Sequence, residues 1–122
     1  MTRDERWHSG ATDEGDGMEI SIDGPRLVLR GDLDGRSTQE VRAALYDRLG
    51  ACDGDVVVDL TEVTAADVIG LRVLAAASRY AGRRGRRIVL RGAGGGIRRL
   101  LHLSHLVRVV ELERSLEGAE GG

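Results

Sequence analysis

Residues 56–74 read VVVDLTEVTAADVIGLRVL, and this stretch decides the fold. Val56, Val57 and Val58 are a continuous β-branched run, the pattern of a strand inside a covered sheet. Thr61 to Ala66 is small and polar and reads as a loop. From about Asp67 the apolar period changes. Ile69, Val73, Ala76 and Tyr80 recur at helical spacing, and Leu71, Leu74 and Ala75 widen that stripe. The alanines let such a helix lie close against a sheet. Gly82 and Gly85, set among arginines, end it near Ala81. Strand, loop and helix in succession are the building unit of an α/β layer fold.

The same alternation extends outward on both sides. Upstream, Met18, Ile20 and Ile22 alternate with Glu19, Ser21 and Asp23, and after the turn residues Asp23-Gly24-Pro25 come Leu27, Val28 and Leu29. Residues 18–31 therefore read as a hairpin. Ser37 and Glu40 have capping-box spacing, Val41, Ala44, Leu45 and Leu49 follow at helical period, and Gly50 can end that helix. Downstream, Ile88-Val89-Leu90 is a third apolar strand, Ile97, Leu100 and Leu101 mark a short helix, and Val107, Val109 and Val110 suggest a last strand. The order is β-β-α-β-α-β-α-β: one α/β domain over residues 18–113, a mixed sheet of about five strands with three helices mainly on one face. Residues 1–17 are polar and acidic without periodicity and read as a disordered tail; residues 114–122 read as frayed.

Composition excludes several classes of function. Of 122 residues, 41% are hydrophobic, but only Trp7, Tyr46 and Tyr80 are aromatic. Bases of a single-stranded nucleic acid would have nothing to stack on. No eighteen apolar residues follow one another, so neither membrane insertion nor a signal peptide is expected. Cys52 stands alone, which suits a reducing cytoplasm and an inert, buried thiol. Charge is divided unequally: residues 1–67 hold sixteen acids and seven arginines, net −9, and residues 68–122 hold four acids and eleven arginines, net +7. No acid occurs between Asp67 and Glu111, and every basic residue other than histidine is arginine. Such one-sidedness marks either a docking surface or a solvated basic face.

Three segments in register carry a family resemblance. Asp59 to Leu74 resembles the signature of the STAS domain family, in which a strand and Asp-Leu-Ser lead through a short loop to Asp-Ser-Ser-Gly-Leu at a helix start. Asp67 and Gly70-Leu71 match it. Gly31-Asp32-Leu33-Asp34 resembles that family's Gly-Glu-Leu-Asp. Ile97-Arg98-Arg99-Leu100-Leu101 with Leu103-Ser104-His105-Leu106 resembles its Val-Arg-Arg-Val-Leu and Leu-Thr-Gly-Leu. The resemblance spans roughly residues 18–113. It implies a cytoplasmic regulator similar to an anti-sigma-factor antagonist, whose partner is an anti-sigma factor of the GHKL kinase type. In phospho-regulated members a Ser or Thr directly follows the Asp. Here that position is Val68, followed by Ile69, and valine has no hydroxyl to esterify. The resemblance therefore implies a partner-binding surface of Asp34, Thr64, Asp67, Val68, Ile69, Gly70, Gly94, Gly95 and Gly96 with no phosphoacceptor. A non-switching accessory subunit of a signalling or lipid-transport complex is the alternative.

Other chemistry-bearing residues have plainer roles. Asp67 suits a helix cap. Thr61 and Thr64 are hydroxyls a kinase could reach, and Thr64 has capping-box spacing to Asp67. Asp32 and Asp34 would face one way on a strand, as a general acid/base pair does, but no His or Lys accompanies them. The Gly92–Gly96 loop fails the spacing of both dinucleotide and P-loop motifs. His102 and His105 lack a third metal ligand nearby in sequence. The cluster Arg79, Arg83, Arg84, Arg86 and Arg87 has no aromatic interleaving for nucleic acid. The expectation is a binding protein, not an enzyme, with no cofactor, metal, nucleic acid or membrane.

Overall fold

Every strand places alternate side chains on one side of a single sheet, and the buried apolar set falls on the same side throughout. The computed structural model describes residues 18–113; the expected tails at 1–17 and 114–122 lie outside the described residues. The elements are β1 (Met18–Asp23), β2 (Arg26–Leu33), α1 (Thr38–Ala51, after a 3-10 turn at Gly35–Ser37), β3 (Val56–Ala66), α2 (Val68–Gly82), β4 (Ile88–Arg91), α3 (Gly95–Leu103) and β5 (Glu111–Leu112). The strands lie in the order β1-β2-β3-β4-β5. β1 pairs antiparallel to β2, and the other pairs are parallel. Hairpin, three helical crossovers and a mixed five-stranded sheet agree with the sequence reading.

The core is aliphatic. Met18, Ile20, Leu27, Leu29, Val56, Val58, Leu60, Ile88 and Leu90 from the strands meet Val41, Leu45, Leu71, Leu74, Ala77 and Leu101 from the helices. The opposite face of the sheet carries ion pairs in place of helices. Arg30 reaches Glu19 and Glu62, Arg26 reaches Asp23 and Asp59, Arg87 reaches Asp55 and Glu111, and Arg91 reaches Glu113. Val57 is half-buried on this face, so the run Val56–Val58 belongs to a sheet covered on one side only.

Several local expectations are corrected. The segment Thr61–Ala66 is strand, not loop: Glu62, Val63, Ala65 and Ala66 continue the ladder opposite Arg30, Gly31, Asp32 and Leu33. β4 pairs with β3 only at Val56–Asp59, so this part of β3 has a strand on one side only and its polar side chains stay in solvent. The final strand is shifted. Leu106–Arg108 forms a 3-10 turn and only Glu111–Leu112 pairs with β4, because His105 takes a left-handed conformation (φ 66°) that turns the chain. Val110 is buried and Val107 and Val109 pack on the core from this turn. On α2 the buried side is Gly70, Leu71, Val73, Leu74, Ala75, Ala77 and Ala81. Ile69 and Ala76, expected in the apolar stripe, are exposed. The capping box at Ser37 also differs. Ser37 makes no cap bond to α1; the box instead joins Asp34 and Ser37 around the preceding turn. Cys52 is half-exposed at the end of α1, with Arg48 Nη1 3.9 Å from its Sγ.

Candidate functional site

Parallel strands deliver their C-terminal ends to one edge of the sheet, and the connections to the next helices gather there. At this edge the end of β2 (Asp32, Leu33, then Asp34) lies beside the end of β3 and the start of α2. The Asp67 amide donates to the Leu33 carbonyl at 3.1 Å. Asp67 then caps α2, its Oδ1 accepting from the Gly70 amide at 2.8 Å. An amide in the first helical turn has no intrahelical partner, so this bond satisfies an otherwise orphaned donor.

Gly70 is required by contact rather than by backbone conformation. A Cβ at this position would meet the Leu33 carbonyl oxygen, with the Leu33 carbonyl carbon at 2.7 Å and Cγ at 3.0 Å. The start of α2 therefore rests directly on the end of β2. Ile69 points outward, 56% exposed, over the backbone of Gly35. Val68, the first residue of α2, is half-buried.

Thr64 does not form a box with Asp67. It lies on β3, and its hydroxyl donates to Asp32 Oδ1 at 3.0 Å. Nor do Asp32 and Asp34 stand as a free carboxylate pair. Arg36 bridges them, at 3.4 Å from Asp32 and 2.8 Å from Asp34. Hydrogen bonds from Arg36, side chain first, hold the Asp34 carboxyl below the usual range. A carboxylate tied to a guanidinium is a poor proton acceptor at neutral pH.

Gly94 and Gly96 lie on the far side of β3. With Thr61, Thr64 and Ile97 they line an open cleft of about 360 Å3 between β3 and the start of α3. Gly95 is exposed in the first turn of α3. Gly92 approaches β3 so closely that a Cβ would strike the Thr61 hydroxyl, and its φ of +73° suits glycine besides. The sequence-derived site residues thus form two groups flanking the end of β3. Asp34, Asp67, Val68, Ile69 and Gly70 sit on one side, Gly94 to Gly96 on the other, and Thr64 lies between.

Asp59, just below, is buried with 8% exposure. Burial alone would raise its pKa. Bonds from Thr61, including an amide bond of 2.9 Å, and the charges of Arg26 and Arg91 outweigh that and hold it low. Two features escaped the sequence reading. One is Arg36 as the bridge between two acids. The other is a groove of about 350 Å3 between α1 and α2, lined by Thr38, Arg42, Ile69, Arg72, Val73 and Ala76. Arg72, three residues after Ile69, was the available signal.

The structure is similar to that of the Thermotoga maritima protein TM1081, with a TM-score of 0.66 at 18% identity over 85% of this chain and 92% of that one. An anti-sigma-factor antagonist from Mycobacterium paratuberculosis gives 0.65 at 22% identity, covering 85% and 90%. The Bacillus cell-fate determinant SpoIIAA, in its phosphorylated form, gives 0.57 at 15% identity, covering 85% and 97%. No curated protein matches the sequence. The family model described as Mlab, STAS domain matches residues 17–112, from β1 through β5. The chain belongs to the STAS domain family.

Proposed function

We propose that this chain is a cytoplasmic STAS-domain regulator that works by binding a protein partner, a GHKL-type anti-sigma kinase, through the start of α2. In this reading it stays unphosphorylated at the position where phospho-regulated relatives carry their acceptor. The observation that carries the proposal is Val68. It opens α2, next to the capping Asp67 and the exposed Ile69. The solved structures of similar fold include one in a phosphorylated form, and a helix start tolerates a phosphate because its amides and dipole favour an anion. A phosphate there adds about −1.5 to −2 charges to the surface. With valine in that place the surface stays apolar, so its resting state is the partner-binding one. Binding rather than catalysis is also supported by the Arg36 bridge, which ties up the acid pair nearest the site.

The test is incubation of the purified chain with the cognate kinase and Mg-ATP, read by intact mass. Wild type should gain nothing, and Val68→Ser should gain one phosphate. Phosphate on Thr61 or Thr64 of the wild type, or an inert Val68→Ser, would contradict the assignment. A second reading, a non-switching accessory subunit of a signalling or lipid-transport complex, draws support from the same Val68. Co-purification with transporter subunits in place of a kinase would favour it.

A further inference from the structure

Arginines on the two faces of the domain are treated differently. On the open face of the sheet Arg26, Arg30, Arg87 and Arg91 are each paired to carboxylates. On the helical side of the domain, the guanidinium groups of Arg42, Arg72, Arg79 and Arg83 make no hydrogen bond or ion pair with any described residue. Ile69, Arg72, Ala76 and Arg79 recur along the exposed side of α2, with Arg83 at its C-cap, at the helical spacing of one stripe. Arg42 faces this stripe across the α1–α2 groove, whose remaining lining is Thr38, Val73 and the apolar Ile69 and Ala76. No acid occurs in residues 68–110 to neutralise it.

We infer that the α1–α2 groove and the exposed stripe of α2 receive an acidic, amphipathic helical segment of the partner, with an apolar side chain seated beside Ile69 and carboxylates meeting Arg42, Arg72 and Arg79. This deepens the proposed function, because it rests on that site and names the chemistry of what binds there. Charge complementarity picks the occupant: unpaired guanidinium groups on both walls call for carboxylates, and the apolar floor calls for a helix face with its own apolar anchor. A nucleic acid would use the arginines and leave Ile69, Val73 and Ala76 facing a phosphate backbone. A membrane would need more apolar surface than one exposed isoleucine.

The probe is a capped peptide of Leu and Glu with leucines at positions i, i+3, i+4 and i+7. It is titrated into the 15N-labelled full chain and compared with the same peptide in which Lys replaces Glu. The Glu peptide should shift amides around Arg42, Ile69, Arg72 and Ala76, while the Lys peptide shifts none. Raising salt should weaken binding, as screening requires. Arg72→Glu and Arg79→Glu together should cut affinity for the Glu peptide by about tenfold or more and admit the Lys peptide. Both positions are exposed, so the fold is retained, and the amide spectrum checks this. No binding of the Glu peptide, equal binding of both peptides, or shifts outside the groove would overturn the inference. So would tighter binding of a mixed-sequence DNA duplex or of phosphatidylglycerol vesicles at the same arginines. The purified kinase separates the two levels. If it binds wild type and the double Glu variant equally, the regulator reading stands and this inference falls. If it binds neither, while the Glu peptide still discriminates them, the assigned partner falls and the acidic-segment site stands.

Discussion

Replacing Gly70 with alanine sets two effects of known size against each other. Gly70 is the third residue of α2, and on helix propensity alone Gly→Ala stabilises by about 1 kcal/mol. Against this, the new Cβ lies 2.7 Å from the Leu33 carbonyl carbon and 3.0 Å from its Cγ, where carbon atoms prefer about 3.5–4.0 Å. The obstacle is the backbone of β2, which no rotamer change can relieve. Overpacking of this kind costs about 1–3 kcal/mol, and a backbone obstacle places it toward the upper end. The clash therefore wins, by about 1–2 kcal/mol. For a domain of this size each kcal/mol moves Tm by about 4–8 °C, so Gly70→Ala should melt roughly 5–15 °C below wild type. Relief requires α2 to lift from β2, which stretches the 3.1 Å bond from the Asp67 amide to the Leu33 carbonyl. Partner affinity should fall with stability. Thermal and urea unfolding of both proteins measure the balance. A Gly70→Ala protein as stable as wild type, or more so, would refute the close contact between α2 and β2.

Two further outcomes follow from the same geometry. Asp67→Ala removes the cap bond to the Gly70 amide and should cost about 0.5–2 kcal/mol in urea unfolding; an unchanged midpoint would show that the cap contributes nothing. Asp59 has its pKa lowered in the folded state, while an unfolded Asp titrates near ~3.9. Below that value the unfolded chain binds more protons than the folded one, so the contribution of Asp59 is complete above about pH 4 and is lost as pH falls through the folded pKa. Asp34, lowered by Arg36, acts in the same direction. Asp59→Asn should therefore flatten, without abolishing, the fall of Tm between about pH 4 and 2; an unaltered slope would contradict the charge pairing.

How much was legible depended on whether a feature is local. The β-branched run Val56–Val58 and the apolar residues Leu71, Val73, Leu74 and Ala77 announce strand and helix because burial against neighbouring elements leaves a local mark in the sequence. The extension of β3 through Thr61, Glu62 and Thr64 leaves no such mark. Those residues are exposed, and only pairing with β2 defines them as strand. Glu111–Leu112 is similarly a strand only because β4 lies beside it. Asp67 as cap could be read from the sequence, since it acts within one helical turn; Gly70 as close contact could not, since it depends on where Leu33 of β2 lies. Arg36 bridging Asp32 and Asp34 depends on where β2 ends. The α1–α2 groove depends on how two helices pack, and nothing in either helix alone specifies that. Ile69 shows the limit most clearly. Its spacing fits the buried stripe, yet the sheet lies under Gly70, Leu74 and Ala77, and Ile69 faces solvent.

Val68→Asp tests the central claim most directly, because it introduces a charge at the start of α2 and nowhere else. Val68 is half-buried, so the substitution gives up part of a valine's apolar contact. An acid in the first helical turn regains about 0.3–1 kcal/mol from the dipole, and Tm should change little. A partner covering position 68 would have to bury that carboxylate without a counter-charge, which commonly costs about 2–5 kcal/mol in affinity. Calorimetric titration with the anti-sigma kinase, run beside a thermal melt of each protein, should show Kd raised by at least about thirtyfold at nearly unchanged Tm. Unchanged affinity in a fully folded Val68→Asp protein would remove the start of α2 from the binding surface and contradict the account.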